Sequence, residues 1–153
     1  MKPDHCITFF RFFSFSWSLL LPSLLISPPA FANPHEYLLD NGLKLIVKQD
    51  HRSPVVVTQI WYKAGSIDEL NGVTGVAHVL EHMMFKGTEQ VPNGEFSKKI
   101  AAAGGRENAF TSYDYTAYYQ QLHKRSLPMA MELEPDRIRN LILTEEEFSR
   151  VIT

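Results

Sequence analysis

The sequence has 153 residues, of which 44% are hydrophobic, 12% aromatic and 21% charged, so it is typical of one globular domain and not of a disordered or low-complexity chain. Fifteen Lys and Arg residues against seventeen Asp and Glu give a net charge of −2, which argues against a nucleic-acid partner. Cys6 is the only cysteine, so intramolecular disulfides and Cys-rich zinc modules are excluded, and His and carboxylate side chains remain as metal ligands.

The first 32 residues have the pattern of a secretory signal peptide. Lys2 and Arg11 precede an uncharged run rich in Phe and Leu, Pro22 would interrupt a membrane helix, and Ala30 and Ala32 form a small-x-small cleavage pattern. We predict cleavage after Ala32, which leaves an exported domain of residues 33–153 that has no membrane segment. The alternative is an uncleaved membrane anchor, because the apolar run is long enough to span a bilayer.

Strand patterns begin the mature chain. Asn41-Gly42 lies between apolar-rich runs at residues 36–40 and 43–48, and this arrangement predicts a β-hairpin because both turn residues tolerate positive φ. Residues 55–62 are mostly β-branched and aromatic and predict a well-buried strand.

A helical spacing of apolar residues follows Gly75. It predicts a helix from Val76 that ends before Lys86-Gly87. Asn93 is predicted to cap a second helix at residues 95–103, which Gly104-Gly105 would end.

The rest of the chain predicts another strand pair and two helices. The strands are residues 106–111 and 115–122. A helix capped by Ser126 follows, with a break or kink expected at Pro135 because proline removes a helical hydrogen bond. Thr144 and Glu147 form a capping box that predicts the start of the last helix.

The segment His78-Val79-Leu80-Glu81-His82 contains the candidate metal ligands and the candidate catalytic residue. At 100° per residue, the two imidazoles lie about 40° apart on a helix and one turn along it, so both reach one ion. Glu81 lies on the same sector and can act as a general base on a water beside the ion. This geometry indicates a zinc hydrolase. The alternative, an amphipathic helix with no ion, would bury three ionisable groups without compensation.

At this point the sequence resembles a known family. HVLEH is the inverted zinc motif HxxEH. The chain resembles the insulinase or pitrilysin family of metallopeptidases over nearly all of residues 35–150. The resemblance is carried by the segments GVTGVAHVLEHMMFKGTEQ, GGRENAFTSYDYTAYYQQLH and DRIRNLILTEEEF, in that order. The similarity is greatest to bacterial exported members related to the mitochondrial processing peptidase, which implies a periplasmic location.

The resemblance implies an α+β fold and specific residue roles. The chain would be an incomplete N-terminal portion of a metallopeptidase domain, with an antiparallel-rich sheet packed by helices. His78 and His82 would be zinc ligands and Glu81 the general base. Asn108, Ala109, Phe110 and Thr111 match an edge strand of the family to which the peptide substrate adds as a further strand. A related second domain or subunit is the implied partner.

The resemblance also implies that the third zinc ligand, a Glu, lies beyond Thr153. Val151 stands where a supporting acidic residue is common in the family, and Glu145, Glu146 and Glu147 come too early to be ligands. We therefore expect a zinc endopeptidase by ancestry whose 153-residue chain has no appreciable turnover in isolation. The alternatives are a catalytically silent fragment that acts as a peptide-binding or partner module, and a zinc-binding protein without hydrolysis.

Overall fold

The fold is known from a computed structural model, which describes residues 33–152. The predicted signal peptide, residues 1–32, and its cleavage point lie outside the described residues. The chain divides into two compact units, one up to Gln49 and one from Asp50 onward. Among residues 33–152, no helix has the length and apolar character needed to cross a membrane.

The first unit contains the predicted hairpin. Strands β1 (His35–Leu38) and β2 (Lys44–Val47) pair antiparallel, and their residues are exposed. Gly42 has φ of +83°, and the side chain of Asn41 accepts a hydrogen bond from the Leu43 amide at 3.0 Å. Asn-Gly therefore forms the turn expected of it, and the hairpin prediction is confirmed with slightly different strand ends.

The second unit is built on a three-stranded antiparallel sheet. Its strands are β3 (Val55–Tyr62), β4 (Arg106–Thr111) and β5 (Thr116–His123), arranged in the order β3-β5-β4. The bounds of the three predicted strands are confirmed to within one residue. The prediction that β3 is well buried is wrong, because its residues alternate between exposed and half-buried. Because β5 is central, β4 is an edge of this sheet.

Within residues 33–152, four α-helices accompany the sheet: α1 (Val76–Met83), α2 (Glu95–Ala102), α3 (Leu127–Asn140) and α4 (Glu145–Ile152). The core cluster consists of Val91, Phe96, Ile100, Leu122, Ala130 and Leu133. Alternate residues of β3 and β4 are exposed, so in this unit the helices cover one face of the sheet and the other face is open. The result is the expected α+β fold with an antiparallel sheet.

The structure corrects the predicted break at Pro135. Helix α3 continues through Pro135 to Asn140. Buried side chains lie before and after the proline, with Ala130 and Leu133 on one side and Arg137 on the other. Packing on both sides therefore holds the helix together despite the lost hydrogen bond.

Of the two predicted helix caps, Asn93 is wrong and Ser126 is right in position only. Gly94, not Asn93, occupies the N-cap of α2, and Nδ2 of the Asn93 side chain donates to Glu147 Oε1 at 3.3 Å. Ser126 occupies the N-cap of α3, but its side chain makes no cap hydrogen bond. A 3₁₀ turn at Lys124–Ser126 leads directly into α3, so the helical backbone begins before Ser126.

The capping box at α4 forms only in part. The Glu147 amide donates to Thr144 Oγ1 at 3.2 Å, as predicted. The Glu147 carboxylate instead accepts from Lys86 at 3.0 Å and from Arg150 at 3.1 Å. The reciprocal half of the box is therefore replaced by ion pairs.

Candidate active site

The start of α1 is fixed by a carboxylate from the preceding loop. Gly75 occupies the N-cap with φ of +89°, and it has no side chain to cap the helix. Glu69 instead accepts hydrogen bonds from the Gly75 amide at 2.7 Å and the Ala77 amide at 2.9 Å. The donors at Ala77 and Gly75 hold the pKa of Glu69 below its usual value.

The two predicted zinc ligands converge on the exposed side of α1. Nε2 of His78 and Nε2 of His82 are 3.1 Å apart, and both side chains are exposed. Two nitrogens bound tetrahedrally to one zinc at about 2.0–2.1 Å would be separated by about 3.3 Å. The imidazole pair therefore fits a zinc ion with a small adjustment, although the same distance also allows one ring to donate a hydrogen bond to the other.

Glu81 points from the same helix toward the sheet. It is 8% exposed, and Thr111 Oγ1 donates a hydrogen bond to Glu81 Oε2 at 2.5 Å. The Thr116 hydroxyl lies 3.3 Å from Thr111 Oγ1 and 2.9 Å from the Ala64 carbonyl oxygen. The carboxylate is therefore held by the end of β4.

A cleft of about 540 Å³ lies beside His78. It is lined by the loop before α1, by His78 and by the end of β4, with the residues Ser66, Glu69, Thr74, Gly75, His78, Thr111, Ser112 and Tyr113. The His78 imidazole and the end of β4 therefore border the same solvent-accessible cleft.

The described part of the chain contains no group of three His, Cys, Asp or Glu side chains that could hold a metal. Glu146 is bonded to Arg150, and Glu147 to Arg150 and Lys86. Within residues 33–152, His78 and His82 are therefore the side chains whose geometry fits a zinc ion.

The predicted substrate strand occupies the edge of the sheet. Within the described residues, β4 pairs with β5 on one side only. Ala109 and Thr111 lie on the helix face, and Asn108 and Phe110 lie on the open face. The Phe110 ring contacts the rings of Trp61 and Tyr115, each at a centroid distance of 5.9 Å. Main-chain groups at this edge are thus available to a further strand.

Sequence reasoning missed Glu69 and Thr116. Glu69 precedes Gly75 by six residues and so matches no local capping pattern. The glycine at the N-cap of α1 was the available signal, because it implies that any side-chain cap comes from elsewhere. Thr116 is the cross-strand partner of Thr111. The predicted strand pair at residues 106–111 and 115–122 was the available signal for that contact.

Comparison with known proteins decides the family. Residues 44–153 match the model of the insulinase family, described as Insulinase (Peptidase family M16). The chain belongs to the M16 family.

Individual M16 relatives agree with this assignment. The chain is 37% identical over 135 residues to the zinc protease PqqE of Helicobacter pylori, covering 86% of this chain and 30% of the relative. It is 36% identical over 129 residues to the mitochondrial-processing peptidase subunit beta of Dictyostelium discoideum, covering 83% and 26%. The predicted family and its relation to the processing peptidase are confirmed.

A solved structure supports the fold. The first half of the periplasmic protease PqqL from Escherichia coli superposes with a TM-score of 0.68 at 30% identity, covering 74% of this chain and 26% of that one. The chain thus spans 30% and 26% of the length of the two relatives, and 26% of the solved first half of PqqL.

Proposed function

We propose that this chain carries part of the active site of a zinc-dependent endopeptidase, in which His78 and His82 hold the metal and Glu81 is the general base. The observation that carries the proposal is the 3.1 Å separation of the two Nε2 atoms on the helix that also presents Glu81. The name of the relative PqqE, a zinc protease, supports the choice of metal.

The chemistry follows from the residue types. Zinc, when bound, supplies a Lewis acid that polarises the peptide carbonyl and lowers the pKa of water. Glu81 takes a proton from the attacking water and delivers it to the leaving amine. The Thr111 hydroxyl, which donates to Glu81 Oε2, fixes the orientation of the base.

The substrate is proposed to be a peptide that binds as an extended strand along β4. The main chain of Asn108, Ala109, Phe110 and Thr111 would supply the hydrogen bonds, since β4 is an edge of the described sheet. Thr111 joins this edge to Glu81, so a peptide on β4 would lie beside the proposed base.

Other parts of the proposed enzyme come from outside residues 33–152. A catalytic zinc site has three protein ligands. We propose that a Glu elsewhere in the protein supplies the third, and that a related second domain or subunit covers the substrate. The proposed location is the periplasm, with residues 1–32 as the export signal, and the neighbour PqqL is described as periplasmic.

The test uses the protein expressed from its complete gene. We expect bound zinc and cleavage of peptides. Glu81→Gln should retain zinc and lower kcat by roughly 10²–10⁴-fold because the proton acceptor is lost. His78→Ala should lose zinc.

Glu89→Gln serves as the control, because Glu89 is an exposed loop carboxylate on the same segment of chain. It should leave both zinc content and turnover unchanged. Full turnover of Glu81→Gln would contradict the proposed base, and zinc retained by a His78→Ala, His82→Ala double variant would contradict the proposed ligands.

A further inference from the structure

The N-terminus of α1 has no local side-chain cap. The first amides of a helix have no helical acceptor, and Ser, Thr, Asp or Asn at the N-cap usually accepts from one of them. Gly75 cannot do so, and its φ of +89° favours glycine over residues with such side chains. The helix that bears His78 therefore needs an acceptor from another part of the chain.

Glu69 is that acceptor. One carboxylate oxygen binds the Gly75 amide at 2.7 Å and the other binds the Ala77 amide at 2.9 Å. Bonds to an ionised acceptor are stronger than neutral ones, and a negative charge is favourable at the positive end of the helix dipole. Using both oxygens also restricts the rotation of α1 about the carboxylate.

The segment before Glu69 is itself tied to the connection between β4 and β5. The Ser66 amide donates to the Ser112 carbonyl at 3.2 Å, and the Ile67 amide donates to the Tyr113 carbonyl at 2.8 Å. A Cβ added at Gly65 would lie 2.6 Å from these same two carbonyl oxygens, so the close approach requires glycine. Glu69 is therefore fixed relative to the end of β4.

We propose that Glu69 is a positioning residue that sets the place of the His78 imidazole relative to β4. The connection runs from Ser112 and Tyr113 through Ser66 and Ile67 to Glu69, and from Glu69 to the Ala77 amide, which directly precedes His78. The significance of this position rests on the proposed role of His78 as a metal ligand. Glu69 would then align the metal with the edge strand on which a peptide is proposed to bind.

Amide exchange and histidine NMR on the metal-free full chain test the proposal. In Glu69→Ala, the amides of Gly75 and Ala77 should exchange about twofold to thirtyfold faster, the range that corresponds to loss of a helix cap. Amides of β5 should not change. The ring resonances of His78 should shift, whereas loss of helix stability elsewhere would leave them in place.

Glu69→Gln and Glu89→Gln complete the design. The neutral amide of Gln keeps one acceptor oxygen, so Glu69→Gln should restore part of the protection and part of the His78 shift, and Glu89→Gln should match the unaltered chain. Unchanged exchange at Ala77 or unchanged His78 resonances in Glu69→Ala would overturn the proposal. Failure of the unaltered protein to bind zinc would instead refute the proposed function, and these metal-free measurements would still decide the role of Glu69.

Discussion

Glu81 is both a nearly buried residue of the fold and the proposed general base. Its carboxylate is nearly buried, and burial of a charged group is unfavourable unless hydrogen bonds compensate. The Thr111 hydroxyl provides one such bond from a strand thirty residues further along the chain. The orientation of the proposed base therefore depends on the docking of α1 against β4.

Substitution of Thr111 tests this dependence. Thr111→Val keeps the shape of the side chain but removes the donor, so we expect kcat to fall while KM changes little, because the main chain of β4 is unaltered. Leaving the buried acceptor without its partner should lower the free energy of unfolding by about 1–3 kcal/mol. Steady-state kinetics of the complete protein and urea unfolding measure the two effects.

Thr111→Ser is the matched control because it keeps the hydroxyl. It should retain most of the kcat that Thr111→Val loses. An equal loss in both variants would mean that the methyl group, and not the hydrogen bond to Glu81, supports the site.

The approach of the two imidazoles is predictable from the sequence because its geometry is local. The spacing of His78 and His82 on a helix predicted that the two rings can approach one point, and the structure places their Nε2 atoms 3.1 Å apart. The partners of the motif could not be found in this way, because Thr111 and Glu69 reach α1 through tertiary contacts. Thr111 was predicted only as part of the substrate strand.

At the scale of elements, α1 is held at both ends. Glu69 binds its first amides, and α4 holds the segment after its last turn. There the Glu147 carboxylate accepts from Lys86 Nζ at 3.0 Å and from Nδ2 of the Asn93 side chain at 3.3 Å. The Ile142 amide also donates to the Gly87 carbonyl at 3.1 Å. Glu147 is therefore more than the capping residue that the sequence predicted.

The ion pair between Lys86 and Glu147 predicts a pH dependence. The hydrogen bond from Lys86 holds the pKa of Glu147 below its usual value. A depressed pKa adds stability that is complete above the unfolded value and disappears as the pH falls through the folded value. We therefore expect the unaltered chain to lose stability more steeply than Glu147→Gln when the pH is lowered from about 6 to about 3.

Urea midpoints measured across that pH range check the prediction. Glu145→Gln is the control, because Glu145 is an exposed carboxylate in the same first turn of α4. Its pH profile should follow that of the unaltered chain. Parallel profiles for Glu147→Gln and the unaltered chain would show that the ion pair does not contribute.

Element boundaries were predictable where the pattern reflects local backbone preference. Asn-Gly marked the hairpin turn, and β-branched residues marked β3 to its full extent. The break expected at Pro135 does not occur, because tertiary packing outweighs the helix-breaking tendency of proline. Buried Arg137 follows it, with its guanidinium 4.4 Å from the centroid of the Tyr118 ring and 2.7 Å from each carboxylate oxygen of Glu134.

At the scale of the whole molecule, the second unit has a sheet with two unlike faces. The helix face of β5 includes Leu122, which is 2% exposed, whereas Val57 and Trp61 on the open face of β3 are 51% and 52% exposed. The sequence pattern predicted the strands, and the family resemblance implied the antiparallel sheet. The sequence did not specify which face of the sheet the helices cover, because the order and packing of strands are tertiary properties.

Truncation of one side chain on each face tests this asymmetry. Leu122→Ala removes packing from the core cluster, so we expect the free energy of unfolding to fall by about 2–5 kcal/mol. Val57→Ala lies on the neighbouring strand but on the open face, where the change should be about 0.5 kcal/mol or less. Urea unfolding of the full chain measures both values. A loss for Val57→Ala as large as that for Leu122→Ala would contradict the open face, because such a loss requires a side chain packed on all sides.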